Sequence, residues 1–160
     1  MKIIIAALGE NRVIGDKDKM PWWVPEEYQQ FLNLIKDQTV IMGRKTYEIF
    51  SKDLPSQRNL VVSRGQHFYP RAEIVPSLEA ALYRADQFSE NIFIAGGATI
   101  YEHALPFADK MYLSWIKGDY AGDTWFPEFD ERDWHVEHKI EHDQFNFVIY
   151  KKNICDDEPF

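Results

Sequence analysis

Short unbroken apolar runs alternate along this chain with segments whose apolar positions recur at helical spacing. The runs lie at 3–8, 39–42, 60–62 and 92–95. None alternates with polar residues, which predicts strands covered on both faces. Between them, 25–35, 45–50, 77–85 and 98–103 carry a helical period. Strand alternating with helix predicts right-handed crossovers and a largely parallel sheet.

The end of the chain changes character. Residues 111–116 read as another strand, and 134–140 and 145–150 as two more, joined by the polar turn Glu141-His142-Asp143-Gln144. That pattern predicts an antiparallel hairpin at one edge, and so a mixed, mostly parallel sheet. No repeat, low-complexity tract or linker interrupts the chain, and 154–160 reads as a tail.

At 160 residues the chain suits one α/β domain with one core. A net charge of -8 argues against a nucleic-acid partner, which needs a basic face. A few local cations would still hold an anionic small molecule. The single cysteine, Cys155, permits no internal disulfide, fits a reducing compartment and reads as an incidental thiol. No apolar run reaches membrane-spanning length. The opening run starts like a signal peptide, but Gly9-Glu10-Asn11-Arg12 ends it early and no small-residue cleavage site follows. A cytoplasmic monomer without a membrane or nucleic-acid partner is expected, since nothing demands a dimer.

Candidate chemistry gathers in four places. Pro25 suits the first turn of a helix, and two carboxylates follow it. Helical geometry groups Glu26 with polar Gln30 and Asn33, and Glu27 with apolar Phe31 and Leu34. A carboxyl turned toward the core is poorly solvated when charged. Its pKa rises, which fits it to donate a proton near neutral pH. The alternative is a rim glutamate favourable to the helix dipole. Upstream, the loop 12–23 has a glycine and charged tips, yet holds Val13, Ile14, Met20, Trp22 and Trp23. Either it closes over a ligand or it is packed permanently on the core.

The runs at 39–42 and 60–62 lead into Gly43-Arg44-Lys45-Thr46 and Ser63-Arg64-Gly65. Carboxyl ends of neighbouring parallel strands are where open α/β sheets bind ligands. Arg44, Lys45 and Arg64, with the Thr46 and Ser63 hydroxyls, suit a phosphate monoester such as the one distinguishing NADP from NAD. Scattered surface cations are the alternative. The run at 92–95 leads into Gly96-Gly97-Ala98-Thr99-Ile100-Tyr101. Glycines there let a ligand approach the backbone, and the helix start offers N–H groups to a pyrophosphate. The three-glycine Rossmann fingerprint and the P-loop are both missing. His135 and His138, three apart in a strand, are expected on opposite faces, and His138 and His142 roughly 13 Å apart along it, so no metal site is expected.

In order and spacing, these segments resemble dihydrofolate reductases of the bacterial chromosomal type, from Met1 to about Asn153. The motifs are Ile5-Ala6-Ala7, Val13-Ile14-Gly15, Met20-Pro21-Trp22, Pro25 with an acid two residues later, and Val40-Ile41-Met42-Gly43-Arg44-Lys45-Thr46. Leu54-Pro55, Ala95-Gly96-Gly97, Ile100-Tyr101, and Gly122-Asp123-Thr124 with Phe126-Pro127 complete them. The resemblance implies one domain over 1–153, with an eight-stranded mixed sheet flanked by four helices. It implies NADPH across the strand ends and dihydrofolate beside the nicotinamide, reduced by hydride to C6 and a proton to N5. It also implies that Glu27 holds the pterin and promotes protonation through water, with Met20 and Trp22 as further catalytic residues of the lid.

By the same likeness Ile5, Tyr28, Phe31, Phe50, Leu54, Ala95 and Ser114 line the pterin and benzoyl pocket, with Tyr101 beside it. Ala7, Ile14, Gly15 and Met20 cover the nicotinamide. Gly43, Arg44, Lys45, Thr46, Ser63 and Arg64 hold the adenosine phosphate end. Gly96, Gly97, Ala98, Thr99, Ile100 and Tyr101 take the pyrophosphate, and the family has a cis peptide at the Gly96–Gly97 position. Thr124 belongs to the loop supporting the lid.

One departure bears on the substrate. After Leu54-Pro55 the family has an arginine that pairs with the α-carboxylate of the folate glutamate; here that position is Gln57, and Arg58 follows. In an extended segment Arg58 faces the other way. Gln57 gives neutral hydrogen bonds where arginine gives a bidentate charged pair. Tail binding is expected to be weaker by on the order of 1.5–3 kcal/mol, partly offset by the more exposed Lys52. Two other readings remain: the same fold and cofactor acting on a pterin or pyrimidine without a glutamate tail, and a non-catalytic NADP-binding module.

Overall fold

The apolar runs become central strands because helices cover them on both sides and leave no edge for water. The computed structural model describes residues 1–17 and 19–154; Asp18 and 155–160, which hold Cys155 and all of the proposed tail but Ile154, lie outside them. In chain order the elements are β1 (Lys2–Gly9), β2 (Val13–Gly15), α1 (Pro25–Ile35), β3 (Thr39–Gly43), α2 (Arg44–Phe50), β4 (Arg58–Val62) and β5 (Glu73–Val75). There follow α3 (Leu78–Asp86), β6 (Ile92–Ile94), α4 (Ala98–Ala104), β7 (Lys110–Ile116), β8 (Thr124–Trp125), β9 (Trp134–Glu141) and β10 (Phe145–Lys152).

One eight-stranded sheet runs β5-β4-β3-β6-β1-β7-β10-β9. The pairs from β5 through β7 are parallel, and β10 is antiparallel to both its neighbours. The sheet is thus mixed and mostly parallel, with the hairpin at one edge. Alternation along each strand divides the core between two faces. Ile3, Ile5, Val40, Met42 and Val61 pack with Phe31, Leu34 and Ile35 of α1 and Tyr47 of α2. Ile4, Leu8, Ile41 and Leu60 pack with Leu78, Ala81 and Leu82 of α3 and Ile100 and Ala104 of α4. A third cluster joins Val13, Trp22 and Val24 to Ile116, Phe145 and Phe147.

Three features depart from the sequence expectations. β5 was not among the predicted strands; its three residues are too few to show a period, and pairing with β4 defines it. β2 and β8 form a small ladder of their own from two segments that read as loops. A bulge in β9 sets Val136 opposite Tyr150 and His138 opposite Ile149, so Glu137 is extra. His135 and His138 are therefore opposite Lys151 and Ile149, on one face rather than two. No group of three or more His, Cys, Asp or Glu side chains able to hold a metal occurs among the described residues. No helix among them is long and apolar enough to cross a membrane.

Candidate active site

The carboxyl ends of β3, β4 and β6, with the middle of β1, open into one groove of about 820 Å³. α2 stands along it. Seven residues long, this helix spans about 10 Å. Its first turn belongs to one end of the groove and its last to the other.

The inner end is built by α1. Pro25 sets the helix start where Val24 supplies no side-chain cap, and the first turn carries Glu26 and Glu27. Glu26 is exposed, and its carboxylate accepts from His142 Nδ1 at 3.0 Å. Glu27 turns inward and is 7% exposed. Burial pushes its carboxyl up from 4.5 to about 7, against the opposing effect of a hydrogen bond from Ser114. Ile5, Ala6 and Ala7 of β1, Ala95 after β6, and Tyr28, Phe31, Ile49 and Phe50 complete this part of the wall. The Phe31 and Phe50 rings lie 5.5 Å apart, and Tyr28 stacks on Phe50 at 6.1 Å.

At the other end, Gly43 starts α2 in an extended conformation, and Arg44, Lys45 and Thr46 follow in its first turn. Ser63 and Arg64 reach the same wall from the end of β4. Arg44 donates to Glu48 at 3.2 Å. Between the two ends lies the cis peptide Gly96–Gly97. Gly96 has φ +111, and a Cβ there would meet the Tyr101 hydroxyl at 3.1 Å, so glycine is required. Its carbonyl accepts from Gly43 N at 2.8 Å, and the Tyr101 hydroxyl donates to Ile5 O at 2.7 Å. Ala98, Thr99, Ile100 and Tyr101 carry the wall onto α4.

The 12–23 loop packs partly on the core and partly along the groove. Val13 and Trp22 are buried in the third core cluster, while Ile14, Gly15, Lys19 and Met20 line the groove. Asp123 supports the loop: its N–H donates to Gly15 O at 3.0 Å and its carboxylate accepts from Lys17 N at 3.2 Å. Thr124 beside it also reaches the groove.

The structure brings most of the sequence candidates together, but not Trp22, Lys52, Leu54, Gln57 or Ser114, which lie outside the groove wall. Trp22 is 6% exposed, its ring makes a T-shaped pair with that of Tyr120, and its indole N–H has no partner among the described residues. Ser114 is buried behind Glu27, and Leu54 packs into the core face of α1 and α2. Lys52 and Gln57 are exposed. Arg58 lies with its guanidinium 3.9 Å from the Phe88 ring centroid, beyond α3. Sequence reasoning missed Val62, Pro76, Ser77, Leu78, Glu79 and His103, which also line the cationic end. Recognising β5 would have found four of them, because they follow its carboxyl end beside Ser63.

The donor set at the cationic end fits a phosphorylated dinucleotide: three cations, two hydroxyls and a glycine pair that leaves the backbone approachable. A buried acid beside an aromatic wall completes a site of the hydride-transferring α/β oxidoreductase class. Residues 1–153 match the family described as dihydrofolate reductase. The chain is 34% identical over 160 residues to dihydrofolate reductase HdrB of Haloferax volcanii, covering 94% of this chain and 82% of that one. It is 39% identical over 132 residues to the type 3 dihydrofolate reductase of Salmonella typhimurium, covering 82% and 81%. With dihydrofolate reductase of Bacillus subtilis (strain 168) the figures are 33% over 157 residues, with 92% of each covered. The solved dihydrofolate reductase of Enterococcus faecalis, complexed with NADP(H) and RAB-propyl, superposes with a TM-score of 0.86 at 26% identity, covering 96% of this chain and 97% of that one. The chain belongs to the dihydrofolate reductase family.

Proposed function

We propose that this protein reduces 7,8-dihydrofolate to 5,6,7,8-tetrahydrofolate with NADPH, through the groove formed by residues 1–153. The observation that carries this reading is Glu27, a buried acid held near pH 7 in the wall of a groove whose far end is cationic. Half-protonated near neutrality, it both accepts hydrogen bonds from a pterin ring and returns a proton. Bound NADPH supplies one hydride, to C6 of the pterin.

The chain's own residues do the rest. Glu27 orients the ring and promotes protonation of N5 through water. Ile5, Phe31, Phe50 and Ala95 hold the ring in an apolar slot, which strengthens every polar contact inside it. Met20, Ile14 and Gly15, with Ala7, close off the reacting face from water. Trp22 acts at second hand, as the buried root that fixes Met20. Ser114 acts through Glu27 rather than on substrate. Arg44, Lys45, Thr46, Ser63 and Arg64 hold the 2′-phosphate end of the cofactor. Gly96 to Tyr101 present backbone and α4 to the pyrophosphate.

The test is loss of NADPH absorbance by the purified protein with dihydrofolate, for wild type and Glu27→Gln. Turnover that falls about a hundredfold or more in the variant is expected for the loss of a proton-transferring group. Wild-type protein that binds NADPH without reducing dihydrofolate overturns the reading.

A further inference from the structure

Resting on the reductase reading, we infer that the mouth of the groove selects against anionic substrate tails and that Asp53 is the specificity-determining residue. A row of rings leads outward from the buried acid. Phe31 faces Phe50, Phe50 stacks with Tyr28 at an interplanar angle of 27°, and Tyr28 meets Trp23 at 5.8 Å. Trp23 is 68% exposed, so the row continues to the surface. Such a shelf holds a flat aromatic group by its faces and edges, and does not require charge.

At the outer part of that row, the Tyr28 hydroxyl donates to Asp53 Oδ2 at 2.5 Å. Tyr28 is itself part of the groove wall. The bond therefore fixes a carboxylate one hydroxyl away from the path of any substrate tail, and a charge-assisted bond of this kind holds it firmly. Burial and Asp53 both push the tyrosine pKa up, so Tyr28 stays protonated and keeps donating.

The cations of the groove are elsewhere. Arg44, Lys45 and Arg64 stand at the far end of α2, and Lys19 is on the loop that covers β1. Arg58 is over Phe88 and Gln57 is neutral; Lys52, like its neighbour Asp53, is exposed and outside the wall, but only Asp53 is tied to a ring of the shelf, through Tyr28. Glu26, the other acid at the start of α1, is engaged by His142. The charge fixed on the aromatic rim is thus negative. Affinity comes from stacking, and each added carboxylate on the tail meets repulsion instead of an ion pair.

The experiment compares kcat/KM for three substrates that differ in tail charge: 7,8-dihydropteroyl methylamide, 7,8-dihydrofolate and dihydrofolate triglutamate. In wild type, kcat/KM is expected not to rise along the series. Asp53→Asn is expected to raise the triglutamate value relative to the methylamide value by about two- to fivefold at low salt, the range of an exposed charge pair. That gain shrinks as ionic strength rises. A tenfold climb from methylamide to dihydrofolate in wild type overturns the inference alone, as does a ratio that Asp53→Asn leaves unmoved. Turnover of none of the three overturns the reductase reading, and this inference with it.

Discussion

Replacing Glu27 by Gln should make the protein more stable at alkaline pH while removing its activity. Burial raises the Glu27 carboxyl from 4.5 to about 7 in the folded chain. Between those values the folded state keeps a proton that the unfolded chain has released. Stability therefore falls as pH rises through that window and levels off above about 7. At about 1.4 kcal/mol per unit, the full loss is about 3 kcal/mol. Gln is never charged and escapes it. From pH 5.5 to 8.5, the stability of Glu27→Gln relative to wild type should rise by about 2 kcal/mol, as 1.5 units of that window remain above pH 5.5. Loss of the Ser114 bond adds an offset, but one that does not vary with pH in this way. Urea denaturation of both ligand-free proteins at the two pH values reads the difference directly, and in heating scans it amounts to about 4–8 °C. A stability gap that does not change with pH would refute the burial of a titrating carboxyl at this position.

Three further outcomes follow from particular contacts. A Cβ on Gly122 would clash with Gly15 O and Val13 Cγ2. Gly122→Ala should cost about 1–3 kcal/mol of stability and speed amide exchange at 13–17, because the backbone must move off the loop that Asp123 supports; wild-type exchange rates would contradict this. Arg44→Ala should weaken NADPH binding by about 1.5–3 kcal/mol while leaving NADH binding nearly unchanged, as measured by fluorescence titration. Equal loss for both nucleotides would separate Arg44 from the 2′-phosphate. Gln57→Arg should tighten dihydrofolate binding by about 1.5–3 kcal/mol. An unchanged dissociation constant would show that position 57 does not reach the tail.

Much of this was legible in the sequence because apolar runs and helical periods are local signals. The runs at 3–8 and 39–42 lie within β1 and β3, and Glu27 was assigned its buried face from helical spacing alone. Arg58 was expected on the face away from Gln57, and it packs on Phe88. What stayed hidden depends on partners distant in the chain. β5 exists because β4 offers it a free edge, and with it went the 76–79 part of the groove wall. The β2–β8 ladder joins segments more than 100 residues apart. The bulge in β9, which brings His135 and His138 to one face, has no sequence mark. For the same reason, the 12–23 loop read ambiguously. Val13 and Trp22 belong to the core and Met20 to the groove, and only tertiary packing separates them.

In the proposed mechanism Glu27 governs the proton step of dihydrofolate reduction. The direct measurement is the single-turnover rate of NADPH oxidation with saturating dihydrofolate from pH 5 to 9, for wild type and Glu27→Gln. The protonated acid declines as pH rises, so the wild-type rate should fall with an inflection near the carboxyl value of about 7. The variant should be slow, with that inflection gone. A wild-type rate indifferent to pH, or the same inflection in both proteins, would rule out that role for Glu27.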